Sequence, residues 1–128
     1  MRDLPPIVLD EPGGLPGRDP TPQPLDMLLA ALGSCLASAI RTHAVAQGIV
    51  LSALALDIEA DLATAQPDNA HPPSLGFDEV RVAVHINSDA SQEALTSLVA
   101  RATLRSQVAS TLHDGTQLSV ALSSPEGP

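Results

Sequence analysis

"LDMLLAALGSCLASAI", residues 25–40, is a nearly unbroken run of leucine and alanine that carries the chain's only cysteine, Cys35. Residues of this kind favour helix. Pro24 is a preferred first-turn residue, and Asp26 complements the positive end of the helix dipole. The spacing predicts a helix from about Pro24 to Gln47, with Gly48 as its C-terminal stop. Leu25, Met27, Leu28, Leu29, Leu32, Leu36 and Ile40 cover most of its circumference, so it must be covered on several sides. Ala30, Ala31, Gly33, Ser34, Ala37 and Ser38 make much of it thin, which invites close packing by a second helix, from this chain or another subunit. The apolar stretch between Asp26 and Arg41 is shorter than the roughly 20 residues needed to cross a bilayer. It reads as a core helix, with no membrane as partner.

On the N-terminal side, "PPIVLD" (5–10) predicts a short strand, with Pro5 and Pro6 at a sheet edge or at the strand's start, because they cannot donate to a ladder. "EPGGLPGRDPTPQP" (11–24) is a Pro/Gly-rich loop. On the C-terminal side, "VLSALALDIEADL" (50–62) alternates apolar residues with Asp57, Glu59 and Asp61, as a half-buried strand does. After the turn-rich stretch 66–74, "GFDEVRVAVHINS" (76–88) alternates again, so the two strands are expected to pair antiparallel. A second helix opens at Asp89 or Ser91 and buries Leu95, Leu98, Val99 and Ala102. A break near Ser106 starts the shorter helical piece "QVASTLHD", Gly115 turns the chain, and "TQLSVAL" reads as a last strand. The class is α+β, a long central helix with an antiparallel sheet, in a single domain over 1–128.

The chain has a net charge of −9, and its basic residues are all arginine. Such a surface repels phosphate backbones and anionic headgroups. With Phe77 as the only aromatic there is no platform for stacked bases, so nucleic acid is not expected as a partner. One cysteine forms no intrachain disulfide, and the first residues do not read as a signal peptide, which makes a reducing, cytoplasmic setting the expectation. His43, His71, His85 and His113 lack metal-ligand spacing, so neither metal nor cofactor is expected. Gly13-Gly14 lacks the strand and helix that flank a phosphate loop, and Ser34 lacks the glycines of a nucleophile elbow. Asp57, Glu59 and Asp61 read as a solvated sheet face.

Cys35 admits two readings. Unpaired cysteine is among the most buried residue types, so an inert core thiol is one. A nucleophile is the other, and it needs a raised thiolate fraction. The residues touching position 35 along its own helix are Ala31, Leu32, Ser38 and Ala39, none of them charged. Activation must then come from elsewhere, and the arginines at 18, 41, 81, 101 and 105 are the cationic candidates.

"DEP" (10–12) followed by "PLDMLLAALGSCLAS" (24–38) resembles the OsmC/Ohr family, the osmotically inducible protein C and organic hydroperoxide resistance proteins. That family shows Pro-x-Glu-x-Leu-Leu-Ala-Ala-x-Gly-x-Cys at this point, and the likeness continues to about residue 122. The resemblance implies an intertwined homodimer whose motif cysteine, here Cys35, attacks an organic hydroperoxide and becomes a sulfenic acid. A second cysteine then closes a disulfide, and an external thiol or dithiol resets the enzyme. Here Ser106 stands where the resolving cysteine is expected, which implies either a one-cysteine peroxidase or a non-catalytic dimer that binds a small apolar ligand in its interface cleft. Asp26 takes the place of the helix-start Glu as a helper acid. Arg18, in the region of the activating arginine, is the candidate thiolate stabiliser on charge grounds.

Overall fold

The computed structural model describes residues 23–63 and 76–123. The expected strand at 5–10, the loop at 11–24 up to residue 22, the connection at 66–74 and Arg18 lie outside these residues. Within them run helix α1 (Pro24–Gln47), strands β1 (Ala53–Leu62) and β2 (Phe77–Asn87), and helices α2 (Gln92–Arg105) and α3 (Gln107–Asp114). The elements give the α+β class read from the sequence.

Helix α1 starts at a proline and stops at Gly48, whose φ of 71° closes a left-handed cap. The Gly48 amide donates to Val45 O, and the next amide, that of Ile49, returns to Ala44 O. Gly48→Ala places a Cβ in that left-handed conformation. It should cost about 1 kcal/mol, read as a lowered denaturant midpoint at unchanged slope.

The four buried residues of α1, Leu32, Leu36, Ile40 and Ala44, are spaced by four and form one line. Ile40 and Ala44 meet Leu98 and Ala102 of α2, and this cluster is closed by Leu54, Val84, Ile86 and Val99 among others. At Gly33 the close approach is made by the sheet rather than by a helix. A Cβ there would stand 2.7 Å from Ile58 Cδ1. Leu25, Leu28 and Val45 are exposed, so the helix that is apolar all round is covered on part of its circumference only.

Counting the uninterrupted apolar run understated this helix. Its 24 residues, with a window of mean hydropathy 1.4, are long and apolar enough to cross a bilayer by length and composition. In the fold it serves as the spine against which α2, α3 and β1 pack.

Strands β1 and β2 pair antiparallel, with Leu54 opposite Ile86, Leu56 opposite Val84 and Ile58 opposite Val82, and the register shifts at Asp61/Leu62. The outer face is acidic and solvated, as the alternation predicted. Arg81 gathers it, donating to Asp61 at 2.8 Å and Glu79 at 3.1 Å, with Glu59 at 3.5 Å. These contacts hold the Asp61 carboxyl below its ordinary value, the Arg81 hydrogen bond being the main cause. His85 lies on the same wet face beside Asp57 at 2.9 Å.

Ser91 caps α2 by accepting from the Ala94 amide, and Leu98 and Ala102 are its buried residues. One expected element is missing: residues 115–123 form no strand, and Leu118, Val120 and Leu122 are 83%, 86% and 99% exposed. Alternation makes a strand only where a sheet edge supplies the ladder's other half. Among the described residues, this segment meets none.

Candidate functional site: the Cys35 cleft

The break between α2 and α3 positions the site. At Ser106 the backbone leaves the helical region (φ −81°, ψ 118°), ending one helix and capping the next. Ser106 is 1% exposed, the one buried polar residue among those described. Its Oγ accepts from the Ala109 amide at 3.1 Å, satisfying one of the donors that a helix start leaves unpaired. The same hydroxyl donates to Cys35 Sγ at 3.1 Å, across 71 residues of sequence.

The first two amides of α3 complete the arrangement. The Cys35 thiol is held below its ordinary pKa, first by the Ser106 hydrogen bond and then by the Val108 amide; burial pushes the other way, by more than the weaker Gln107 amide contributes. All three donors favour the charged form of the sulfur, and a helix start adds its positive end. Ionisation therefore stabilises the fold. That contribution is complete above the ordinary thiol value of about 8.5, and it is lost as pH falls through the depressed value in the folded chain.

Cys35 is half-buried and lines a solvent-open cleft of about 560 Å³. Thr42, His43, Arg105 and Gln107 give the cleft polar walls, while Ala31 and Ala39 keep it narrow in side-chain bulk. Cys35 is not part of the closed core, since its sulfur touches a hydroxyl and amides rather than hydrocarbon alone. His43, expected at the outer end of the helix, is half-buried at this cleft, with Nδ1 3.0 Å from Ala39 O.

The sequence candidates separate. Ser106 meets the sulfur, and Arg105 shares its cleft. Asp26 is exposed in the first turn of α1, nine residues and therefore about 14 Å along the axis from Cys35, and the two are not brought together. Arg81 is engaged on the outer sheet face. The donors that lower the thiol pKa are the serine hydroxyl and the α3 amides, and none of them is among the arginines that the sequence offers as cations. Their signal was present in the sequence: a serine before a short helix is a cap, and a cap marks a cluster of free amides. What that cluster points at is a property of the fold. Among the described residues no cluster of His, Cys, Asp or Glu could hold a metal ion.

A comparison with curated proteins finds no significant match. Solved structures do match. An OsmC-like hydroperoxide resistance protein from Jannaschia sp. aligns with a TM-score of 0.69 at 20% identity, over 82% of this chain and 69% of that one. An OsmC-like protein from Mycoplasma pneumoniae aligns with a TM-score of 0.65 at 22% identity, over 73% of this chain. The alignment spans 63% of the Mycoplasma protein's length, so this chain answers to less than two thirds of it. An organic hydroperoxide resistance protein OsmC from Legionella pneumophila aligns with a TM-score of 0.55 at 25% identity, over 80% of this chain and 69% of that one. The fold they share is one on which the family's own sequence pattern also falls: residues 17–121 match it, and the chain belongs to the OsmC-like protein family.

Proposed function

We propose that the protein reduces organic hydroperoxides through Cys35 alone. The observation that carries this reading is the hydrogen bond from Ser106 Oγ to Cys35 Sγ, backed by the α3 amides, in a cleft open to solvent. A sulfur so held is a thiolate at a lower pH than a free cysteine, and the thiolate is the nucleophile. It attacks the terminal oxygen of the hydroperoxide, the O–O bond breaks, and the leaving alkoxide takes a proton to become an alcohol. The sulfur is left as a sulfenic acid. Ser106, in the position of the resolving cysteine, has no sulfur to offer, so an external thiol or dithiol returns Cys35 to its reduced state.

The working unit in this reading is a homodimer in a reducing cytoplasm. The exposed Leu25, Leu28 and Val45 of α1 and the unpaired segment with Leu118, Val120 and Leu122 are the surfaces a second copy would cover. Arg18 remains the candidate second stabiliser of the thiolate on charge grounds, and Asp26 the candidate helper acid on family grounds.

The direct test is one equivalent of cumene hydroperoxide in the presence of a sulfenate trap, followed by mass spectrometry. Labelling of Cys35 is expected. An unlabelled Cys35, beside a control peroxidase that labels, would remove the enzyme reading. A related prediction concerns Ser106→Cys, which puts a thiol where Oγ now stands 3.1 Å from Sγ. After peroxide treatment, a non-reducing peptide map should contain a 35–106 link. Its absence would mean that position 106 is not that of the resolving residue.

A second reading, a non-catalytic dimer binding a small apolar ligand, has its own observation. A cleft of about 620 Å³ between α1 and β2 is lined by Leu32, Leu36, Ile40, Val82 and Val84, and it does not reach Cys35. Saturable binding of a neutral apolar dye at this cleft, together with a Cys35 that peroxide leaves untouched, would favour it.

A further inference from the structure

With one cysteine in the chain, whatever resets Cys35 has to bring its own sulfur into the cleft. The walls of that cleft are charged in one sense only. Among the described residues Arg105 is its one permanent cation, and no described Asp or Glu lines it, in a chain with 15 acidic residues and 6 basic ones. Arg81 divides its guanidinium among Asp61, Glu79 and Glu59, whereas Arg105 makes no ion pair among the described residues. His43 reaches the same walls with Nδ1–H engaged on Ala39 O, which leaves an accepting ring nitrogen and adds no acidic group to the cleft. Thr42 and Gln107 add uncharged hydrogen-bonding groups beside them.

We infer that Arg105 forms a carboxylate subsite beside Cys35 that selects an anionic low-molecular-weight monothiol as the reductant. A guanidinium presents a fork of donors that matches a carboxylate, and because Arg105 and Cys35 line the same cleft, a short chain docked by its acid shares that cleft with Sγ. The chemistry balances with two such thiols. The first attacks the sulfenic acid, forming the mixed disulfide and releasing water. The second attacks that mixed disulfide, restoring the Cys35 thiol and leaving as the symmetric disulfide. The assignment of these steps rests on the one-cysteine reading above, but the subsite itself is measurable without peroxide.

The experiment uses three disulfides of matched length: 3,3′-dithiodipropionate, bis(2-hydroxyethyl) disulfide and cystamine. Each is mixed with the reduced full-length protein, and the rate of mixed-disulfide formation at Cys35 is followed by intact mass. The carboxylate reagent should react about two- to fivefold faster than the neutral one at low salt, the advantage shrinking as salt is added. Arg105→Ala should erase that ratio, and Arg105→Glu should invert it in favour of cystamine. Equal rates in the unaltered protein, a ratio that survives Arg105→Ala, or a Cys35 that none of the three reaches would each overturn the subsite. A parallel arm compares a carboxylate-bearing hydroperoxide with a neutral one in sulfenate formation. A preference for the anion there but not with the disulfides would move the carboxylate to the oxidant and overturn its assignment to the reductant. Sulfenate trapping with cumene hydroperoxide reports on the peroxidase reading separately, so the two can fail independently.

Discussion

Replacing Cys35 with serine should abolish hydroperoxide consumption and all labelling by thiol reagents, because no other thiol exists in the chain. The variant is expected to stay folded. Cys35 is half-buried rather than part of the core, and its one side-chain partner is a serine hydroxyl, with which a second hydroxyl makes an ordinary hydrogen bond. Its helical circular dichroism and thermal midpoint should therefore stay close to those of the unaltered protein. A hydroxyl in place of sulfur lacks both the acidity and the nucleophilicity that the reaction requires. Residual turnover in Cys35→Ser, measured as alcohol formed from cumene hydroperoxide, would place the chemistry somewhere other than the cleft described above.

Ser106→Ala should be the most damaging change that leaves the sulfur in place. One hydroxyl performs two tasks: it accepts from Ala109 N to start α3, and it donates to Cys35 Sγ. Loss of the cap costs about 0.5–2 kcal/mol. The thiol at the same time loses the largest of the influences that depress its pKa, and a frayed α3 weakens the amide contacts as well. The pH midpoint for alkylation by iodoacetamide should consequently move upward, toward the value of about 8.5 for an unperturbed cysteine. A purely structural role for Ser106 would lower the denaturation midpoint and leave the alkylation midpoint where it was. That outcome would sink the assignment. A shift in the alkylation midpoint ties the reactivity of the sulfur to this hydroxyl.

The comparison between sequence and structure is instructive where the two part company. Helix α1, its glycine stop, the paired strands and the break at Ser106 were all legible, because each is written in short-range terms: periodicity, caps and turn residues. The strand expected at 116–122 did not form, because alternation describes a segment while a ladder needs a partner edge, and the partner is not encoded locally. The candidate site divided in the same way. Cys35 was conspicuous as the one cysteine, and Ser106 stood out as the departure from the family pattern. That their side chains meet at 3.1 Å depends on how α3 docks against α1. An arginine's charge can be read from a letter. Backbone amides carry no letter, and their direction appears only once the helix start is placed in space.

The docking of α3 has one more consequence. This helix has eight residues and fully buries none of them, so it is held less firmly than α1 and α2. When it lifts away, the sulfur on α1 stays where it is but loses the donors that sharpen it. Mild heat or dilute denaturant should thus dull the cysteine well before the spine and sheet let go. Quenched aliquots taken along a melting curve would record a protein falling silent chemically while most of its architecture still stands.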